Sequence, residues 1–440
     1  MNILNFFYLK SKLLFGSYIK NFSWMMTENL IKIGLGLSVS IYLTRYLGPY
    51  NYGVLTYAVG ITGMLSPIAT LGIDAILLRN IIQDKNQEKT LLQTARILKF
   101  TSAICLTILS VLFFYFTRED KTVVFIMAFL MIGVSVNSLN VYKEYFISIN
   151  KMRFIAYSSI ISLIISNFFR VGLIISSANL LWFAFAILLA NIINVLVLKI
   201  YYGKISEFKR KYFSWIIARK LLNDSWPLIF TSFAGVIFIY ADQIIIEIYF
   251  DFDKVGVYGS AVRLLLFFTI IPSIISNMIY PKVVELYEQN QKQHFIKKMV
   301  PIYFFHLIFA LLLISIFIVF GRTIILTLYG ASFIEAVPVL QIYSITFLFV
   351  FFNPMNNKLL MLENLQKLML FRNLIGLVFN VILNLTLIPV LGIKGAAFAT
   401  ILSQISIIIS YYFNSKTRYL LGIKIRAILY PLLLLKQLKK

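Results

Sequence analysis

One cysteine and two histidines stand among 440 residues. Cys105 alone cannot close an intrachain disulfide, and His294 and His306 are too few and too isolated to suggest a metal site. Charge is scarce: 13% of residues carry it, against about 25% in a soluble protein. Acids are scarcer still, with 17 Asp and Glu against 41 Lys and Arg. No GxxxxGK[ST] loop is present, which excludes ATP hydrolysis by that route. There is no HExxH pair and no serine nucleophile elbow, and no paired carboxylates occur on an outer loop. No cofactor is expected.

What fills the chain instead is apolar: 60% of residues, with a mean hydropathy of +0.86. Backbone groups in lipid must be satisfied internally, so the spans are helices or a closed barrel. The apolar runs are continuous rather than alternating, which excludes the barrel. About twelve runs are long enough to cross. They are Trp24–Arg45, Tyr52–Leu78, Leu98–Phe116, Val123–Tyr142, Phe154–Ser176, Leu180–Ile200, Trp226–Phe250, Val255–Tyr280, Met299–Phe320, Phe333–Asn356, Met369–Val390 and Ala396–Asn414. Between the first two, Arg45-Tyr46-Leu47-Gly48-Pro49-Tyr50-Asn51-Tyr52-Gly53 must turn, because Gly48-Pro49 cannot continue a helix. Residues 1–22 mix aromatics with lysines and read as a cytoplasmic or interfacial leader without a signal-peptide pattern. Ile425 to Leu435 is too short to span and contains Pro431, so it reads as interfacial.

The net charge of +24 raises nucleic acid as a partner, but the basic residues sit in the breaks between apolar runs. Orientation rules produce that pattern. It remains compatible with an anionic lipid surface or an anionic lipid-linked substrate, and no nucleic-acid partner is expected. With the N-terminus inside, inner segments hold 31 Lys and Arg and outer segments 6. Both termini are therefore expected in the cytoplasm. The longest connections are also cytoplasmic, which leaves no room for an outer catalytic domain.

The chain repeats. Tyr46 to Gly53, followed by Val54, Ala58 and Val59, corresponds to Tyr249 to Gly256, followed by Val257, Ala261 and Val262, at an offset of 203. Further along, Asn137 and Asn140 match Asn353 and Asn356, Asn167 matches Asn380, and Phe185-Ala186 matches Phe398-Ala399. The reading is of two six-helix bundles, residues 23–200 and 226–414, joined by a basic cytoplasmic linker at 201–225 and followed by a basic tail at 415–440. Both halves start inside, so they are parallel repeats about an axis along the membrane normal.

A charge at mid-bilayer costs about 2.5–3.5 kcal/mol on insertion scales, so intramembrane charges are the first functional candidates. Glu28, Lys32, Gly36 and Ser40 form one stripe on helix 1, which reads either as a neutralised pair or as a cavity wall. Ser159, Ser162, Ser166 and Arg170 share a face of helix 5. Serines alone suggest close packing, and Arg170 adds a wet cavity as the alternative. Asp242, with Gln243 beside it, lies well inside helix 7, and Arg263 lies on helix 8 in the same half of the membrane. A pairing between Asp242 and Arg263 is expected, structural or functional. Asp74 and Arg79 close helix 2, and Asn353, Asn356, Asn357 and Lys358 close helix 10, as interface residues or ligand contacts.

With these residues in hand, the chain resembles the polysaccharide-biosynthesis branch of the MOP flippases, the Wzx-type repeat-unit transporters. The resemblance rests on Arg45 to Pro49 with Tyr52-Gly53, on Leu71-Gly72-Ile73-Asp74 with Arg79, and on Pro227-Leu228. It rests also on Ala241 to Ile245, Val255 to Tyr258 with Ala261, Pro281-Lys282, and Leu391 to Ala397. It implies an all-α integral membrane protein: two parallel six-helix repeats around a central cavity lined by helices 1, 2, 7 and 8, alternating between inward and outward access. The implied cargo is an oligosaccharide on undecaprenyl pyrophosphate, moved to the outer leaflet of the bacterial inner membrane. A polysaccharide polymerase and a chain-length regulator are further implied partners, beside membrane lipids. Lys32, Arg263, Arg170 and Arg79 are the expected substrate-binding residues, since a diphosphate calls for cations. Glu28, Asp242 and Asp74 are the expected ion-coupling residues. The rival readings are a cation-coupled multidrug exporter of the same superfamily and a membrane polymerase or glycosyltransferase. The last has only Glu119, Asp120, Asp251 and Asp253 as outer acids.

Overall fold

A computed structural model describes residues 3–205, 212–288 and 292–431. Among them there are helices and turns and no strands, as the internal satisfaction of backbone groups in lipid requires. The helices are α1 (Ile3–Ala69), α2 (Ile73–Gln83), α3 (Glu88–Thr117), α4 (Lys121–Ser138), α5 (Tyr142–Ser148), α6 (Met152–Ile175) and α7 (Leu180–Gly203). They continue as α8 (Trp215–Tyr249), α9 (Phe252–Phe268), α10 (Ile270–Glu288), α11 (Lys292–Leu328), α12 (Ala336–Ser344), α13 (Phe347–Val350) and α14 (Asn353–Leu362). The last three are α15 (Gln366–Leu391), α16 (Ile393–Ile409) and α17 (Arg418–Ile428).

Ten described helical stretches are long and apolar enough to cross a membrane, against about twelve expected. The difference has two local causes. Residues 34–83 run as one stretch of 50, because the break at Gly48-Pro49 is confined to a single residue, Gly48, at φ 70° and ψ 175°. That conformation is open to glycine at little cost. At the other end α16 has 17 residues, just short of a full crossing. The second half makes the equivalent break with different chemistry. Between α8 and α9 the Asp251 side chain accepts the Lys254 backbone N–H at 2.9 Å, a helix N-cap in place of the Gly-Pro stop.

The chain forms two compact units. The first comprises residues 1–46 and 58–233, the second 47–57 and 234–440. In the first unit a core of Ile73, Leu77, Leu92, Tyr142, Phe146, Leu198 and Tyr202 ties α2, α3, α5 and α7 together. In the second, Met299, Tyr303, Phe352, Met355 and Leu359 pack against Leu420, Ile423 and Ala427 of α17. The segment expected to lie at the interface is thus, as far as residue 431, partly a packed helix of the second unit.

The sequence repeat reappears as a reciprocal contact within the second unit. A Cβ on Gly53 would run into the Phe252 carbonyl, and a Cβ on Gly256 would run into the Pro49 carbonyl. Residues 49 and 252, and 53 and 256, are repeat equivalents at the offset of 203. One turn on, Thr56 Cγ2 lies 3.0 Å from the Cβ position of Gly259, its own equivalent. This i-to-j, j-to-i pattern is what a two-fold relation between like segments produces, and small residues let the backbones meet. Gly53→Val and Gly256→Val are each expected to cost about 2–3 kcal/mol, because the obstructing atoms are backbone and cannot rotate away. Gly34→Ala, with nothing within 4 Å, is expected to be neutral or slightly stabilising. Thermal melts of the detergent-solubilised protein check the contrast.

Candidate functional site

Asp242 sits on α8 within a run of apolar residues and is 4% exposed. Three helices bring donors to it. Asn384 of α15 donates its Nδ2 to Oδ1 at 2.7 Å, and Thr400 of α16 donates its hydroxyl to Oδ2 at 2.9 Å. Tyr258 of α9 donates its phenol to Oδ2. All three donors are neutral, so dipoles rather than a cation solvate this carboxylate. Asn380, one turn before Asn384 and fully buried, also hydrogen-bonds to the carboxylate as a further neutral donor, while the amide oxygens of Asn380 and Asn384 have no donor of their own. A carboxylate beside surplus amide oxygens is a donor set suited to a small hard cation.

Asp242 makes no ion pair with Arg263. Arg263 is exposed on α9, while Asp242 turns towards α15 and α16. The consecutive helix α9 does supply a partner, but it is the neutral Tyr258, and the other two come from helices more than a hundred residues away in sequence.

A second polar centre lies in the first unit. Asp74, on the first turn of α2, pairs with Lys99 at 2.6 Å, and Lys99 is 2% exposed. Next to them Glu144 of α5 is 5% exposed, with its Oε2 unpartnered. Asn140 donates to Asn194 Oδ1 at 3.2 Å, and Asn194 to Ser158 at 3.4 Å. Together these groups line a cleft of about 240 Å³. Lys99 escaped the sequence reading because its span was taken to begin at Leu98, and Glu144 because the span before it was taken to end at Tyr142, short of α5. The Lys99 helix begins at Glu88, about three turns earlier, which carries Lys99 inside.

The other expected residues are dispersed. Arg79 is half-exposed and pairs with Asp224 at 2.6 Å. Arg170 donates to Asn167 Oδ1 at 3.2 Å. The serine row ahead of it is largely packing: Ser162 donates to the Ala190 carbonyl of α7 at 2.6 Å. The side chains of Glu28 and Lys32 lie outside the described residues. Sequence reasoning missed Tyr258, Asn384 and Thr400 as partners of Asp242. The Asn380/Asn384 spacing of one helical turn inside an apolar run was the available signal.

The chain belongs to the polysaccharide biosynthesis protein family, whose pattern it matches over residues 18–287. It is 21% identical over 412 residues to the capsular polysaccharide biosynthesis protein CapF of Staphylococcus aureus, covering 90% of this chain and 99% of that protein. Its fold is similar to that of the lipid II flippase MurJ in an inward closed conformation, with a TM-score of 0.75 at 15% identity, covering 93% of this chain and 91% of that one. An inward-facing multidrug resistance MATE family transporter of the MOP superfamily matches with a TM-score of 0.65 at 13% identity, over 90% and 95% of the two chains. Family and fold together define a multi-pass membrane protein of polysaccharide biosynthesis, helical throughout its described residues, with the fold seen in those flippase and transporter structures.

The Asp74–Lys99 pair gives a stability test. Asp74→Ala leaves the buried ammonium without its carboxylate and is expected to cost about 2–3 kcal/mol, less than a fully buried pair because Asp74 is half-exposed. Adding Lys99→Met is expected to restore most of the loss, as read by thermal melts of the single and double variants.

Proposed function

We propose that this protein is a flippase of the bacterial inner membrane, with both termini cytoplasmic. It moves an undecaprenyl-pyrophosphate-linked oligosaccharide repeat unit to the outer leaflet by alternating access, for O-antigen or another surface polysaccharide. The observation that carries this reading is the conjunction of a polysaccharide-biosynthesis sequence with a fold that follows a lipid II flippase over 93% of the chain. The charge bias, with cations crowding the segments expected inside, suits capture of a pyrophosphate from the cytoplasmic leaflet. Two parallel six-helix repeats would frame the path. A polysaccharide polymerase and a chain-length regulator would act on the delivered unit.

Substrate contact is assigned first to Lys32 and Arg263. Arg170 and Arg79 come second, since Asn167 and Asp224 already engage them. Ion coupling is assigned first to Asp242, whose neutral donors and surplus amide oxygens support a cation at that carboxylate. Glu28 comes next, and Asp74, which Lys99 compensates, comes last. A second reading, a cation-coupled multidrug exporter, draws support from the TM-score of 0.65 with a MATE transporter.

In cells lacking any other copy, deletion is expected to abolish surface polysaccharide and to leave lipid-linked units on the cytoplasmic face. Single units accumulating on the outer face would point instead to a polymerase. Drug sensitivity with intact polysaccharide would point to the exporter. Asp242→Asn is expected to lower the amount of surface polysaccharide by at least about tenfold while the protein remains in the membrane, tenfold being about 1.4 kcal/mol of lost coupling. Lys32→Ala with Arg263→Ala is expected to do the same. Wild-type polysaccharide in the double variant overturns the substrate assignment.

A further inference from the structure

Two buried cations in the second unit form no ion pair with an acid among the described residues. Arg372, on α15, is 5% exposed, and Lys424, on α17, is 6% exposed. The Arg372 Nη2 donates to Asn357 Oδ1 at 2.8 Å, but its Nε and Nη1 have no partner, and neither has the Lys424 Nζ. Both cations lie against one ring. The guanidinium is 4.9 Å and the ammonium 4.4 Å from the centre of Tyr411, whose hydroxyl is likewise buried and unpartnered. Close by, Asn356 accepts from Tyr303 and has an unpartnered Nδ2. The acid nearest in sequence, Glu363, hydrogen-bonds with Tyr419. The site is thus made of donors and positive charge. Burial, reinforced by the neighbouring Arg372, lowers the Lys424 ammonium to about 7.

An isolated buried charge is among the most costly features a protein can hold, and two together without an anion are worse. Arg372 and Tyr411 line a cleft of about 300 Å³ whose other walls include Leu368, Phe371, Phe413 and Thr417. Its rim carries exposed large apolar side chains, Phe371 and Phe413, and Tyr412 beside them. Such a rim suits contact with lipid. The cleft has a guanidinium in its wall and apolar side chains at its mouth, and Lys424 adds its charge from across the Tyr411 ring.

We propose that the cleft at Arg372 and Tyr411, with Lys424 against the same ring, binds a phosphate group, and that a membrane phospholipid with an anionic headgroup supplies it. An unesterified phosphate has the same polar chemistry, with oxygens that only accept and a charge that answers both cations. The apolar rim selects the lipid as the source, because its acyl chains continue along Phe371 and Phe413. Basic pockets between membrane helices suit anionic headgroups on the same grounds. This site is independent of the flippase reading, which places the cargo elsewhere.

The test uses the full chain, purified in a neutral detergent and stripped of lipid. Phosphatidylglycerol is expected to raise the melting temperature by about 2–5 °C, and phosphatidylcholine to leave it unchanged. Arg372→Met and Lys424→Met are expected to abolish that rise, and Lys424→Arg to keep it. Without lipid, both Met variants are expected to melt at or above the wild type, since each removes an unanswered buried charge. A purely structural role would instead lower their melting temperature with and without lipid, and that outcome overturns the proposal. So does a rise of equal size with phosphatidylcholine, a result that needs only the wild type. Inorganic phosphate, compared with chloride at equal ionic strength, separates the sources. A rise as large as that from phosphatidylglycerol overturns the lipid as the source.

Discussion

A carboxylate in an apolar helix is tolerated only if the protein supplies what water would have supplied. Asp242 shows how this chain meets that demand. Its oxygens receive an amide, a hydroxyl and a phenol from three other helices. The packing of α8 with α9, α15 and α16 is therefore polar at its centre, although each helix reads as apolar. Dehydrating a charge is costly, whereas neutral dipoles held in place by helices are already oriented and lose little on meeting it. The same demand is met differently in the first unit, where Lys99 answers Asp74 directly. It is met only in part at Arg372 and Lys424, by Asn357 and the face of Tyr411, which leaves donors on both cations unpartnered.

The repeat in the sequence has a physical counterpart at the Gly53–Gly256 crossing. Equivalent residues meet each other's equivalents, with backbone carbonyls where side chains would otherwise stand. The two copies have not kept the same chemistry. One breaks its helix with Gly48-Pro49 and the other with an Asp251 cap. What persists between them is the close approach, since only glycine leaves room for it. The intramembrane polar contacts have diverged: Asn167 and Asn380 correspond, yet the first holds Arg170 while the second joins Asn384 at Asp242.

Membership of the polysaccharide biosynthesis family and the fold of a lipid flippase agree with this arrangement of a mostly apolar protein around a few buried polar centres. Those centres are small and specific. Each draws on helices far apart in the chain, which is why a stripe on one helix, such as the serines leading to Arg170, proved largely to be packing against α7.

Sequence alone determined the class. An apolar content of 60% with continuous runs leaves helices as the only way to satisfy the backbone in lipid, and Gly48 broke its helix where Gly48-Pro49 said it must. It also singled out Asp242 and Asp74, because an acid inside an apolar run is visible without a structure. The partners were not visible. Helical periodicity reports which residues share a face of one helix and says nothing of what that face meets. Tyr258, Asn384 and Thr400 are ordinary residues in sequence, and only the packing of α9, α15 and α16 around α8 makes them the solvent of a charge. Lys99 and Lys424 looked like residues at the margins of the membrane, until the true start of α3 and the docking of α17 buried them. Burial is a property of neighbours, and neighbours are set by tertiary structure.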